Sequence, residues 1–104
     1  MTPTDTAYLE RNKLVVLLAH IIINSGRKAG RGYDTEAEEG WQNVILIDLP
    51  TGQISFHVAD RDMEASGADQ LPIYSGDWDG HTSVEKWERL DKYVMSYAFV
   101  QGRR

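Results

Sequence analysis

Cysteine is absent from this 104-residue chain. That excludes disulfides, thiolate metal sites and cysteine nucleophiles, and it fits a reducing compartment. Long apolar runs are also missing. The longest is Leu14 to Ala19, continued after His20 by Ile21 to Ile23, about half the length of a membrane span. It begins behind Asp5 and Glu10, too late for the core of a signal peptide, so the expected location is cytoplasmic. Cations are outnumbered, with 11 Lys and Arg against 16 Asp and Glu, for a net charge of −5. Such a balance argues against a general nucleic-acid binder and against attraction to anionic membranes. There is no repeat, low-complexity tract or linker, so residues 1–104 are read as one domain.

What is present points to an α+β fold. Asp5 or Thr6 can cap a helix that runs unbroken from about Ala7 to Ser25. Between Leu14 and Ile23 this helix is apolar on every side except at His20, so it needs cover all round. So small a chain has little material to supply that cover, and one flank is expected to face a second copy in a homo-oligomer. His20 itself is read as a hydrogen-bonded core residue. Gly26 ends the helix.

Arg27, Lys28 and Arg31 follow, among Gly30 and Gly32. Their default role is to complement the helix dipole. The functional reading is a flexible loop that grasps phosphate. Asp34, Glu36, Glu38 and Glu39 come next as a solvated turn or a short helix.

Asn43 to Leu49 and Gln53 to Ala59 read as two strands of a hairpin around Leu49-Pro50-Thr51-Gly52. A type I turn with a glycine bulge would set Leu49 opposite Gln53, Ile47 opposite Ser55 and Ile45 opposite His57. A lone hairpin is barely stable, so a further strand or a partner chain is expected. The Leu71 to Tyr74 segment and Trp41 are candidates for cover within the chain. Asp60 to Ser75 reads as a long irregular loop. Thr82-Ser83-Val84-Glu85 is a capping box opening a second helix, with Val84, Trp87, Leu90, Val94 and Tyr97 on one stripe.

Tyr74-Ser75-Gly76-Asp77-Trp78-Asp79-Gly80-His81-Thr82 stands just before that cap. In a structural reading Trp78 anchors the core, Asp79-Gly80 turns, and His81 with Thr82 fastens the helix start. As a ligand site, Tyr74 and Trp78 would stack on a ring while the helix N-terminus holds an anion. A metal site would draw on Asp77, Asp79 and His81, joined by Asp60, Asp62 or His57. A calcium loop counted from Asp77 fails at its sixth position, where Thr82 replaces glycine. Acid–base work by His81 with Asp77 or Asp79 is chemically open. No established catalytic or cofactor motif accompanies these residues, so no catalytic residue, metal or cofactor is assigned.

Leu49-Pro50-Thr51-Gly52-Gln53-Ile54-Ser55-Phe56-His57, then Leu71-Pro72, Tyr74, Trp78-Asp79-Gly80-His81-Thr82 and Glu85-Lys86 resemble the small WDGH-domain family. That family is seen mostly in bacteriophage and prophage sequences. The resemblance spans about Tyr8 to Tyr97 and implies a viral accessory origin, with no settled activity to transfer. Its matching positions are Ser55, His57, Trp78, Asp79, Gly80, His81 and Thr82.

By analogy with small acidic phage proteins, the function expected is stoichiometric binding against host defence. The partner would be a host defence protein or a nucleotide signal. The candidate ligand-binding residues are Tyr74, Asp77, Trp78, Asp79, His81, Thr82, His57, Arg27, Lys28 and Arg31. The alternatives are a metal-assisted enzyme acting on nucleotides or DNA bases, and a structural or virion-associated component.

Overall fold

The computed structural model describes residues 2–102 of the backbone and residues 2–96 of the side chains, so Tyr97 lies outside the described side chains. Helix α1 covers Pro3–Asn24. It starts earlier than Asp5 or Thr6 would place it, because Thr2 is the cap. The Thr2 hydroxyl accepts the Asp5 N–H at 3.1 Å and the Asp5 carboxylate accepts the Thr2 N–H at 3.2 Å. Pro3 fits the first turn, where its missing N–H costs nothing.

Three antiparallel strands follow: β1 (Ala29–Tyr33), β2 (Asn43–Leu49) and β3 (Gly52–Val58), in the order β1-β2-β3. The hairpin register differs by one residue from the bulged turn expected. Leu49 pairs with Gly52, Ile47 with Ile54, Ile45 with Phe56 and Val44 with His57. Pro50 and Thr51 alone form the link, and Gly52 closes it at φ +131°, where a side chain would be strained. A slip of one residue moves one strand's side chains to the opposite face. Here it gathers Ile45, Ile47, Leu49, Ile54, Phe56 and Val58 on a single inner face, all buried. The expected register would have divided them between two faces.

That inner face packs against Val15, Val16, Ala19 and Ile22 of α1, with Ala68 and Leu71 closing one end. Burying each of the valine, leucine and isoleucine side chains among them stabilises the fold by about 2 kcal/mol. The opposite flank of α1, with Leu14, Leu17 and Ile21, is exposed. So is His20, which corrects its reading as a core residue.

The further strand that a lone hairpin required is β1. Arg27 to Arg31, read as a flexible loop, is in fact largely strand. Its outer edge is paired again: Arg31 N–H donates to Pro72 O at 2.8 Å, and Tyr74 N–H donates to Arg31 O at 2.9 Å. The Asp60 to Ser75 region is shorter in irregular chain than expected. It holds helix α2 (Asp62–Ser66) and a 3-10 turn, Ala68–Gln70. Buried Asp62 accepts from the side chain of buried Asn12 at 3.2 Å, so both polar groups are satisfied.

Helix α3 spans Ser83–Gly102 and opens with the predicted box. Thr82 Oγ1 accepts the Glu85 N–H at 3.1 Å, and Glu85 returns the bond to the Thr82 N–H at 3.0 Å. The helix lies along β3, with Leu90 and Tyr93 turned to the core. Of the predicted stripe Leu90 is therefore turned to the core, whereas Val84, Trp87 and Val94 are exposed. Arg89 reaches back to the hairpin, where its Nη1 donates to Gln53 O at 2.8 Å.

Candidate functional site

The register that unites the core leaves Val44, Leu46, Asp48, Gln53, Ser55 and His57 on the outer sheet face, beside Gly30 and Gly32 of β1. The segment from Tyr74 to His81 crosses this face and is fastened by Gln53, which is buried. Gln53 Nε2 donates to Tyr74 Oη at 2.9 Å and to Asp77 O at 2.9 Å. Its Oε1 accepts the Asp79 N–H at 3.1 Å. Tyr74 in turn donates to Asp48 at 2.6 Å, and burial together with that carboxylate pushes its phenol up.

A second set of bonds holds the tetrapeptide 78–81. His81 is buried, and its Nδ1 lies 2.7 Å from Asp79 Oδ1, which also accepts the His81 N–H at 3.0 Å. His81 Nε2 lies 2.9 Å from Ser55 Oγ. Arg89 Nη1 donates to the other Asp79 oxygen at 2.9 Å. Burial alone would raise the Asp79 carboxyl, but bonds from His81 and Arg89 outweigh it and hold the group below its ordinary value of 3.8.

This shift has a sign. A carboxyl that protonates less readily folded than unfolded stabilises the fold above its ordinary value, and that contribution fades as pH falls through the lowered value. Asp34, held low chiefly by a hydrogen bond from His57, acts in the same direction. Urea denaturation at pH 7 and pH 3 should therefore show the lower stability at pH 3. Asp79→Asn should narrow the difference between the two.

Between these fastening points, the segment and the outer sheet face enclose a cleft of about 520 Å³, within the usual range for small-ligand sites. Its floor is Gly32, Val44, Leu46, Ser55 and His57, and its walls include Tyr33, Tyr74 and Trp78. Asp34, Glu36 and Asp77 also line it, and among the described residues no lysine or arginine does. His57 Nε2 pairs with Asp34 at 2.9 Å across the rim. Trp78 is 58% exposed, so it is not the core anchor of the structural reading. Its ring meets the His81 ring edge-on at 5.7 Å between centroids.

Of the ten candidate ligand-binding residues, Tyr74, Asp77, Trp78 and His57 line this cleft. Asp79 and His81 lie behind it in the bonded chain, and Thr82 is the α3 cap. Arg27, Lys28 and Arg31 do not line the cleft. Arg27 donates to Asp48 O at 3.0 Å and Arg31 to Leu71 O at 2.9 Å, while Lys28 is exposed and offers its carbonyl to the Asp48 N–H. Among the described residues no group of His, Asp and Glu converges in a metal-holding arrangement. Asp60 instead accepts from Asn43 and Asp62 from Asn12.

Sequence reasoning passed over Gln53, Arg89, Tyr33 and Asp34. The first two carry no chemical signature and matter only through the folded geometry. The others sat in what read as a loop and a solvated turn. The correct register would have placed Gln53, Ser55 and His57 on one face and pointed to them.

The WDGH domain model matches residues 1–93, which include all of β1–β3, the loop and the start of α3. The chain belongs to the WDGH domain family. No curated protein and no solved structure matches it. The family's tetrapeptide, Trp78-Asp79-Gly80-His81, thus has a division of labour: Asp79 and His81 fasten the loop, Gly80 turns it at φ +81°, and Trp78 faces the cleft. None of the described helices is long and apolar enough to cross a membrane.

Proposed function

We propose that this protein is a stoichiometric binding protein whose target places a cationic group in the cleft between the outer sheet face and the WDGH loop. The observation that carries this reading is the lining itself: Tyr33, Tyr74 and Trp78 beside Asp34, Glu36 and Asp77, without a lysine or arginine. A guanidinium or ammonium over an aromatic face gains about 0.5–2 kcal/mol, more as water is excluded. The carboxylates add attraction for the same charge and repel a phosphate. This favours the protein target over the nucleotide signal: a basic side chain on a partner suits the cleft, and the chain's net charge of −5 steers the approach. In a phage-encoded setting that partner is a host defence protein with a basic surface, met in the host cytoplasm. Self-association through the exposed Leu14, Leu17 and Ile21 flank of α1 belongs to the same proposal, since it would present two clefts to one target.

Calorimetric titration with Nα-acetyl-arginine methylamide tests the reading, with cytidine monophosphate as the anionic counterpart. Binding of the arginine probe, weakened by added salt, is the expected result. Binding of the nucleotide alone would reverse the choice of target.

A further inference from the structure

Ser55, His81 and Asp79 stand in the order and with the atoms of an activated serine. Ser55 Oγ meets His81 Nε2 at 2.9 Å, and His81 Nδ1 meets Asp79 Oδ1 at 2.7 Å. The direction of each bond follows from chemistry. Asp79 accepts from Arg89, the His81 N–H and the His81 ring, as an ionised carboxylate must. When the ring is neutral, Nδ1 is then the nitrogen that carries the proton, and Nε2 is a bare acceptor for the Ser55 hydroxyl. His81 is held still, its side chain 3% exposed. Ser55 is only half-buried and forms part of the cleft floor. The reactive oxygen thus faces the open site while the groups that orient it lie behind.

We propose that Ser55 is a nucleophile for acyl transfer from a small carboxylic ester bound in the cleft, with His81 as its general base and Asp79 as the positioning residue. The inference rests on the cleft being an occupied site. Oγ bonds to the ester carbonyl carbon as its proton passes to Nε2. The carbon–oxygen bond to the alcohol then breaks, and the alcohol leaves with that proton. Water, giving a proton to the same nitrogen, attacks the acyl-serine, and that proton returns to Oγ as the acid departs. The aromatic wall and the carboxylates select esters whose alcohol part carries a cation or an apolar ring.

An alkyl fluorophosphonate probes the serine without assuming a substrate. Oγ displaces fluoride from phosphorus, and the adduct persists for intact-mass measurement and peptide mapping. One adduct, mapped to Ser55, is expected on the wild-type protein, with none on Ser55→Ala. His81→Gln should label about 100-fold more slowly. An unlabelled wild-type protein overturns the inference without recourse to any variant, as does an adduct on another residue. Titrating the wild-type protein with Nα-acetyl-arginine methylamide separates the two readings. Binding with no labelling refutes the nucleophile alone, and labelling without cation binding refutes the binding reading alone.

Discussion

Replacing Gln53 with alanine is expected to cost about 2–3 kcal/mol and to free the loop between Tyr74 and Asp79 from the sheet. Gln53 is 8% exposed and spends both amide atoms on that loop, through Tyr74 Oη, Asp77 O and the Asp79 N–H. Alanine reproduces none of these bonds. A buried polar group left without its partner costs about 1–3 kcal/mol, and several partners lose theirs together here. The loss should be partly local, because Tyr74 keeps Asp48 and Asp79 keeps Arg89. Urea denaturation measures the total, and amide hydrogen exchange at Asp79 reads the loosened loop. Exposed Gln70 is the control, where alanine should change stability by no more than about 0.5 kcal/mol. Equal effects at the two glutamines would mean that the loop is not fastened by Gln53.

Gly30→Ala is the second large effect, about 3 kcal/mol. A Cβ at this position would press on Pro72 O and lie 2.8 Å from Tyr74 N. Both are backbone atoms of the segment that pairs with Arg31, and they cannot rotate aside as a side chain can. That segment must move outward, weakening the bonds from Arg31 N–H to Pro72 O and from Tyr74 N–H to Arg31 O. Overpacking of this kind costs about 1–3 kcal/mol, and the weakened edge adds to it. The same displacement shifts Tyr74 from the cleft wall, so cation binding should fall together with the denaturation midpoint. Gly26→Ala, where a Cβ meets nothing within 4 Å but φ is +89°, measures positive-φ strain alone, which Gly30 does not carry. A smaller loss at Gly30 than at Gly26 would contradict the close-approach argument.

Gly30 also explains why part of the fold was hidden in the sequence. Ala29-Gly30-Arg31-Gly32-Tyr33 has neither alternation nor β-branched residues, so nothing local marks it as a strand. Gly30 lets the Pro72 to Tyr74 backbone pass close by and pair with the outer edge, a contact more than forty positions away in the chain. The α3 cap and the long α1 were legible because their signals lie within a few residues of each other. The hairpin was legible as a hairpin, but its register was not. Pro50 and Gly52 are compatible with more than one turn, and only the gathering of Ile45, Ile47, Ile54 and Phe56 under α1 settles the choice.

The candidate site follows the same division. Tyr74, Asp77 and Trp78 are accessible from composition, because aromatics and carboxylates cluster near a turn, while His57 enters through the family resemblance. Arg27, Lys28 and Arg31 were grouped by charge, yet two of them spend their guanidinium groups on backbone carbonyls. The Ser55–His81–Asp79 chain joins residues 26 positions apart, and neither element alone reveals it.

The proposed binding cleft for a cationic group is made by the WDGH loop and the outer sheet face together. Nitrogen-15 correlation spectra recorded during titration with Nα-acetyl-arginine methylamide test it most directly. Saturable shifts confined to Gly32, Val44, Ser55, His57, Gly76 and the Trp78 indole are the predicted result. No shift at these positions, or shifts centred on the Leu14 to Ile21 flank of α1, would contradict it.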